Sequence, residues 1–108
     1  MTSENEYVLG THDAEIERLG LQHRAWRPKV QEAWRSAGIG AGQTALDVGC
    51  GPGYASMDLA EVVGESGNVV AIDKSDRFLG ALENMRRERG LHNITACPAD
   101  LDAASFQR

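Results

Sequence analysis

The sequence predicts an α/β fold in which a doubly wound parallel sheet, shortened to about three strands, follows two N-terminal helices. Three features of the 108 residues support this prediction. Apolar runs of strand length alternate with segments of helical periodicity, a glycine-rich turn follows the first run, and an acidic residue stands at or just after the end of each run. A chain of this length has room for one sizeable hydrophobic core.

The N-terminal part of the chain predicts two helices. Ile16, Leu19 and Trp26 follow helical spacing, and Pro28 disfavours a helical residue before it but is well suited to open a second helix, which Gly38 ends. We expect residues 1–43 to form a separate helical N-terminal region, and residues 44–108 to form the sheet and its helices. The segment "GIGAG" at 38–42 is predicted to be a flexible connector.

Strands and helices alternate through the rest of the sequence. The expected order is a strand at Thr44–Val48, a helix at about Tyr54–Val63, a strand at 68–73, a helix opened by Ser75 and Asp76, and a strand at 93–97. Strands separated by helices of this length pair in parallel through right-handed crossovers.

Charge and composition exclude several classes of protein. The net charge of −5 argues against a surface that binds nucleic acid, because such surfaces need clustered Lys and Arg. The basic run at Arg86, Arg87 and Arg89 is interpreted as the last turn of a helix, where cations complement the helix dipole. No apolar run is long enough to span a membrane, and the polar N-terminus "MTSENEYVLG" does not resemble a secretory signal, so we expect a cytoplasmic protein.

The two cysteines, Cys50 and Cys97, have neither CxxC spacing nor a histidine cluster nearby. We therefore expect no disulfide and no metal site.

The acidic residues and glycines predict a ligand site at the carboxyl ends of the strands. Asp47 ends the first strand, where it precedes alternating glycines at 49, 51 and 53; Asp73 ends the second strand, and Asp100 follows the third. Rossmann-type folds bind their ligands at this edge of the sheet. Each Asp on its own is also common in turns and caps, so the argument rests on the three together.

Two ligand classes are compatible with such a loop. A nicotinamide or flavin dinucleotide is disfavoured because Tyr54 stands where the third glycine of GxGxxG is required, and because Asp47 would repel a pyrophosphate. S-adenosylmethionine brings an ammonium, a sulfonium and one carboxylate. Asp47 can favour the cations while the loop amides and the next helix N-terminus receive the carboxylate. Asp73 would then accept hydrogen bonds from the ribose hydroxyls, and Asp100 would meet the adenine amino group.

The segment "ALDVGCGPGYASMDLAE" (45–61) resembles the glycine-rich first motif of class I S-adenosylmethionine-dependent methyltransferases, and "VVAIDKS" (69–75) and "ACPADL" (96–101) are similar to their second and third cofactor segments. The resemblance implies a cofactor site for S-adenosylmethionine and its product S-adenosylhomocysteine. The residues it implies are Asp47, Gly49, Cys50, Gly51, Gly53, Asp73, Lys74, Ser75, Asp100 and Leu101. It also implies a lid role for the N-terminal helices, with Tyr7, His23 and Trp26 as weaker candidates for the rim.

Members of this family continue with further strands after the third, and the sequence ends at Arg108. We therefore expect the cofactor-binding portion of a methyltransferase with a small-molecule acceptor, and little or no activity of the 108 residues alone. The alternative is a non-catalytic cofactor-binding or assembly module. No general base is assigned, because His12, His23 and His92 lack a defined acceptor geometry. In the sheet of this family the first strand lies between two partners, so the resemblance implies that one edge of Thr44–Val48 is left uncovered, and this edge predicts a homodimer or a segment-exchanged oligomer.

Overall fold

The computed structural model describes residues 2–100, with side chains from residue 13 onward. Its elements are α1 (Thr2–Ser36), β1 (Thr44–Val48), α2 (Tyr54–Val63), β2 (Asn68–Asp73), α3 (Asp76–Arg89) and β3 (Ile94–Pro98). The chain divides into two compact units after Trp34, and the second unit contains the whole sheet. None of the helices in the described part is long and apolar enough to cross a membrane.

The N-terminal segment forms one helix and not two. The prediction of a break at Pro28 is wrong, since α1 continues through this proline for 35 residues in all. A proline inside a helix costs one backbone hydrogen bond and crowds the preceding turn. Helix-forming Glu, Gln, Arg and Ala residues lie on both sides of Pro28, and two short helices would each need their own costly nucleus.

The three strands form a parallel sheet in the order β1-β2-β3. Leu46 pairs with Val70 and Asp47 with Ala71, while Ala71 pairs with Ala96 on its other side. The predicted bounds of β1, α2 and β2 are correct, and β3 begins one residue later than expected. The predicted Rossmann-like fold class is confirmed.

The hydrophobic core lies between one face of the sheet and the helices α2 and α3. Val69 and Ala71 alternate along β2 and are fully buried, which is the pattern of a strand with one covered face. Successive right-handed crossovers in the same direction place both helices on that face. The other buried apolar residues are Met57, Leu59, Ala60, Val63, Leu79, Leu82 and Ile94.

The opposite face of β1 is exposed. Leu46 is 61% exposed and Val48 is 56% exposed, although both lie within a strand. β1 also has a single hydrogen-bonded neighbour among the strands of residues 2–100. Apolar side chains and an open strand edge therefore occur together at this side of the sheet.

The helix α3 begins and ends at the residues that the sequence indicates. The Ser75 hydroxyl accepts a hydrogen bond from the Phe78 N–H at 3.1 Å, so Ser75 is the N-cap. Gly90 adopts a left-handed conformation at the C-cap, with φ of 66°. Arg86, Arg87 and Arg89 occupy the last turn, as predicted, where Arg86 forms a bidentate ion pair with Glu83.

Candidate functional site

The glycine-rich loop between β1 and α2 has a left-handed backbone at each of its three glycines. The φ angles are 69° at Gly49, 59° at Gly51 and 96° at Gly53, a region that residues with a Cβ rarely adopt. A Cβ on Gly53 would lie 2.7 Å from the Leu82 side chain, so this glycine allows α2 and α3 to pack closely. A Cβ on Gly49 or Gly51 would meet nothing within 4 Å. The surface beside the first two glycines is therefore clear of protein atoms.

Most N–H groups of this loop bond within the protein. The N–H groups of Gly49 and Cys50 both donate to the Ile72 carbonyl, and the Gly53 N–H donates to the Cys50 carbonyl. The expectation that these loop amides receive a ligand carboxylate is therefore not supported at these positions. The N-terminus of α2 is the better candidate, because it has no side-chain cap and no acidic residue in its first turn.

Asp73 connects the glycine loop to the end of β2. Its Oδ2 accepts a hydrogen bond from the Gly51 N–H at 2.9 Å, and its Oδ1 accepts one from the Ser75 N–H at 2.8 Å. A carboxylate can accept about four hydrogen bonds, so both oxygens keep capacity for a ligand hydroxyl. The two backbone donors fix the plane of the carboxylate before any ligand arrives.

Asp47 accepts a hydrogen bond from a buried hydroxyl of α2. The Ser56 Oγ donates to the Asp47 Oδ2 at 2.6 Å, and Ser56 itself is 0% exposed. This distance is typical of a charge-assisted O–H to carboxylate bond. The sequence reasoning missed Ser56, which lies in the first turn of α2, nine residues after the acid that it contacts.

Both carboxylates act on Cys50, which lies between them in the loop. Burial raises the pKa of its thiol, and the negative charges of Asp47 and Asp73 raise it further, to about 12. The thiol donates to the Gly51 carbonyl, with 3.4 Å between Sγ and the oxygen. The Cys50 thiol is therefore a neutral hydrogen-bond donor near neutral pH, and the charges of Asp47 and Asp73 disfavour a further negative charge beside it.

A groove of about 250 Å³ lies at the carboxyl ends of the strands. It brings together four of the predicted site residues: Gly49, Asp73, Lys74 and Asp100. Three apolar residues at the strand ends, Val48, Ile72 and Ala99, complete its lining. The sequence reasoning missed these three, although Val48 and Ile72 are the last apolar residues of β1 and β2, a signal that could have identified them.

The remaining predicted residues lie beside this groove or outside the described part of the chain. Cys50, Gly51, Gly53 and Ser75 belong to the loop and turn that border it, and Asp47 lies in β1, where it bonds to Ser56 of α2. Leu101 lies outside the described residues. Within residues 13–100, no group of three or more His, Cys, Asp or Glu side chains has the geometry of a metal site, and Cys50 and Cys97 are both unlinked.

A larger cavity, of about 450 Å³, lies at the opposite end of the sheet. It is lined by residues at the end of α2 and in the turn between α3 and β3, among them Glu61, Glu65 and His92. None of the predicted cofactor residues lines it. Parallel α/β sheets bind their ligands at the carboxyl ends of the strands, so the smaller groove is the better candidate.

The structure describes the side chains of two of the three α1 residues proposed for the rim of the cofactor site, Trp26 and His23. Trp26 is exposed and carries the Lys29 ammonium 5.5 Å from its ring centroid, an interaction within the helix. His23 is half-buried. The side chains of Tyr7 and His12 lie outside the described part. The lid role of residues 1–43 stays a prediction.

The chain is similar to known methyltransferases in sequence. A family model described as "Methyltransferase domain" matches residues 39–108. A demethylmenaquinone methyltransferase of Oceanobacillus iheyensis is 33% identical over 90 residues, which are 82% of this chain and 37% of that protein. The chain thus spans little more than a third of the length of this curated relative.

Solved structures give the same result. The structure of an S-adenosylmethionine-dependent methyltransferase from Aquifex aeolicus is 30% identical, with a TM-score of 0.62, over 65% of this chain and 37% of that one. Coclaurine N-methyltransferase bound to N-methylheliamine and S-adenosylhomocysteine is 29% identical, with a TM-score of 0.65, over 70% of this chain and 22% of that one. The match of the family model to residues 39–108, on a Rossmann-like sheet with a glycine-rich loop after β1, shows that the chain belongs to the methyltransferase-domain family.

Proposed function

We propose that the carboxyl edge of the sheet binds S-adenosylmethionine as the cofactor site of a methyltransferase. The observation that carries this proposal is the pair of carboxylates, Asp47 and Asp73, which border the glycine loop and are held in place by hydrogen bonds, Asp47 from Ser56 and Asp73 from the Gly51 and Ser75 N–H groups. The negative potential of these two carboxylates, which adds to burial in raising the pKa of the Cys50 thiol, also stabilises a ligand ammonium or sulfonium.

The same potential separates the two candidate cofactors. A dinucleotide would bring its pyrophosphate to this loop, where it would meet Asp47 and would find the N–H groups of Gly49 and Cys50 already bonded to Ile72. S-adenosylmethionine brings two cationic groups and one carboxylate. The carboxylate alone needs backbone donors, and the uncapped N-terminus of α2 supplies them.

The groove suggests how the remaining parts of the cofactor would be held. Asp73 would accept the ribose hydroxyls, since its two oxygens are fixed by backbone donors and keep acceptor capacity. Val48, Ile72 and Ala99 would contact the adenine ring, with Lys74 and Asp100 at its edge. The clear surfaces at Gly49 and Gly51 would face the methionine moiety. Leu101 is proposed to close the adenine pocket, as the family resemblance implies.

The proposed reaction transfers a methyl group to a small-molecule acceptor. A lone pair of the acceptor attacks the methyl carbon in line with the carbon–sulfur bond, that bond breaks toward sulfur, and the acceptor loses a proton. S-adenosylmethionine supplies the activated methyl group, so positioning is the main task of the protein. Demethylmenaquinone, which is named for the relatives, is the first acceptor to test. A cytoplasmic location stays a prediction.

The alternative function is a non-catalytic cofactor-binding or assembly module. The exposed Leu46 and Val48 and the open edge of β1 favour it, because such a surface recruits a second polypeptide. A homodimer or a segment-exchanged oligomer through this edge is proposed for either function, because it is compatible with cofactor binding by each copy.

Calorimetry with S-adenosylmethionine, S-adenosylhomocysteine and NAD tests the cofactor proposal. We expect the first two ligands to bind at the same site and NAD to show no measurable heat of binding. Tighter binding of NAD than of S-adenosylmethionine would overturn the proposal.

A further inference from the structure

Ser56 is a buried hydroxyl whose only described side-chain partner is a carboxylate of the proposed cofactor site. It is the third residue of α2 and is 0% exposed, and its Oγ lies 2.6 Å from the Asp47 Oδ2. A serine in a helix commonly bonds back to a carbonyl of its own preceding turn or points to solvent. Here the hydroxyl instead links the first turn of α2 to the end of β1.

This bond restricts the orientation of Asp47. A carboxylate on a strand end can rotate about two side-chain torsions, and a single strong donor fixes it in one rotamer. The bond uses one of about four acceptor positions of the carboxylate, so the others stay available to a cation. The negative charge is thereby held beside the loop, and no ordering of Asp47 is needed when a ligand binds.

We infer that Ser56 is a positioning residue for the amino-acid end of the cofactor, because it holds Asp47 in the orientation that receives the ligand ammonium. This inference rests on the proposed function. It assigns Ser56 no contact with the cofactor and no part in the recognition of ribose or adenine, which belongs to Asp73 and the groove.

The separation of the two ends of the cofactor supplies the test. S-adenosylmethionine and S-adenosylhomocysteine carry the amino-acid end, whereas 5′-methylthioadenosine keeps adenine, ribose and sulfur without it. For Ser56→Ala we expect affinity for the first two ligands to fall about tenfold, as for a lost charge-assisted bond, and affinity for the third to stay unchanged. Ser56→Thr keeps the hydroxyl and should bind all three ligands as the wild type does.

Two controls guard against a purely structural effect. Ser56→Cys keeps the approximate volume but replaces the hydroxyl with a weak donor, so it should behave as Ser56→Ala does. Ser66→Ala removes an exposed serine outside the site and should change nothing. Thermal unfolding of every variant shows whether it is folded. If Ser56→Ala is not folded, the ligand affinities of Ser56→Cys and Ser56→Thr are compared instead, and a loss confined to Ser56→Cys and to the two ligands with the amino-acid end supports the positioning role.

The outcomes separate this inference from the proposal beneath it. An equal loss for all three ligands in Ser56→Ala, or no loss for any of them, would overturn the positioning role while leaving the cofactor assignment intact. A wild-type chain that binds none of the three ligands would instead overturn the proposed function, and the role of Ser56 with it.

Discussion

The Asp73 carboxylate accepts a hydrogen bond from the Gly51 N–H at 2.9 Å, across 22 positions of sequence. This bond joins the end of β2 to the glycine loop after β1, and a second bond from the Ser75 N–H fixes the other carboxylate oxygen. The residue proposed to hold the ribose is thus also the residue that shapes the loop. A change at Asp73 should therefore affect both binding and loop stability.

Asp73→Ala should weaken S-adenosylmethionine binding by about 1.5–3 kcal/mol, because charge-assisted bonds to the ribose hydroxyls are lost. Calorimetry measures this loss, and urea denaturation measures any accompanying loss of stability. The control is Glu88→Ala, which removes an exposed carboxylate on α3 at a distance in sequence from the loop. Equal losses of affinity in the two variants would show that Asp73 has no special role.

Gly53→Ala should destabilise the fold more than other glycine substitutions in left-handed positions. A left-handed backbone costs an alanine about 1–2 kcal/mol, and the new Cβ would also lie 2.7 Å from Leu82. Overpacking of this kind costs about 1–3 kcal/mol more. Gly38→Ala is the matched control, since Gly38 has φ of 84° and nothing within 4 Å of its Cβ position. Urea denaturation should give Gly53→Ala a lower free energy of unfolding than Gly38→Ala. The reverse order would contradict the packing role of Gly53.

Gly49→Ala should weaken cofactor binding although its Cβ would meet no protein atom within 4 Å. The new methyl group would stand on the surface that we propose for the methionine moiety, beside the groove. Gly38→Ala carries similar backbone strain outside the site, so it separates strain from loss of ligand space. We expect calorimetry to show weaker binding for Gly49→Ala and wild-type binding for Gly38→Ala. Wild-type affinity in both would show that the cofactor does not lie against Gly49.

The Cys50 thiol should make the protein less stable in alkaline solution. Its pKa is raised to about 12 from an ordinary value of 9.0, so above about pH 9 the unfolded thiol loses its proton while the folded thiol keeps it. The unfolded state then binds fewer protons, and the free energy of unfolding falls as pH rises from about 9 to about 12. Chemical denaturation across this range should show a smaller fall for Cys50→Ser than for Cys97→Ser. Equal falls would argue against a protonated Cys50 thiol in the folded protein.

The 108 residues alone should transfer little or no methyl group. The chain spans 37% of the length of the Oceanobacillus iheyensis relative, and the groove of about 250 Å³ at the carboxyl ends of its strands is the one that we propose for the cofactor. Radiolabelled S-adenosylmethionine with demethylmenaquinone as acceptor would measure the transfer. Sustained turnover by the purified chain would refute this expectation and would also weigh against the non-catalytic alternative.

Much of the fold could be predicted because glycines and acidic residues mark the element ends. Gly53, Gly64 and Gly90 each stand at a helix boundary. The strand β1 ends one residue after Asp47, and β2 ends at Asp73. The break predicted at Pro28 was wrong because a local rule about proline was outweighed by helix-forming residues on both sides. The free energy of helix formation is summed over the whole segment, whereas the rule about proline considers the loss of one hydrogen bond.

The site was harder to predict than the fold, for a physical reason. The sequence identifies residue types such as the three glycines, but not which N–H groups the protein itself engages. The bonds from Gly49 and Cys50 to Ile72 join neighbouring strand ends, and the bond from Ser56 to Asp47 crosses from helix to strand. Such bonds depend on how the elements pack, so no spacing in the sequence indicates them.

The backbone groups at the open edge of β1 can be assigned to particular residues. The Gln43 carbonyl and the Gly49 N–H both bond toward β2, and backbone groups alternate along a strand, so those of Thr44, Leu46 and Val48 point to the outer edge. The side chains of Leu46 and Val48 are also exposed on the uncovered face. Leu46 and Val48 thus each contribute to both the edge and the face.

We therefore predict that the chain forms a homodimer or a segment-exchanged oligomer through β1, because backbone donors and acceptors at an apolar strand edge recruit another chain. Leu46→Pro removes an N–H from this edge, and Leu46→Lys places a charge on the exposed face, while neither removes a bond to β2. Light scattering coupled to gel filtration should show a wild-type oligomer that both variants shift toward the monomer. Ala45→Pro is the contrasting variant, since alternation turns the Ala45 N–H toward β2, and its main effect should be loss of stability. A wild-type chain that stays monomeric and unfolds cooperatively at high concentration would contradict the prediction, and would mean that β1 needs no second copy to cover it.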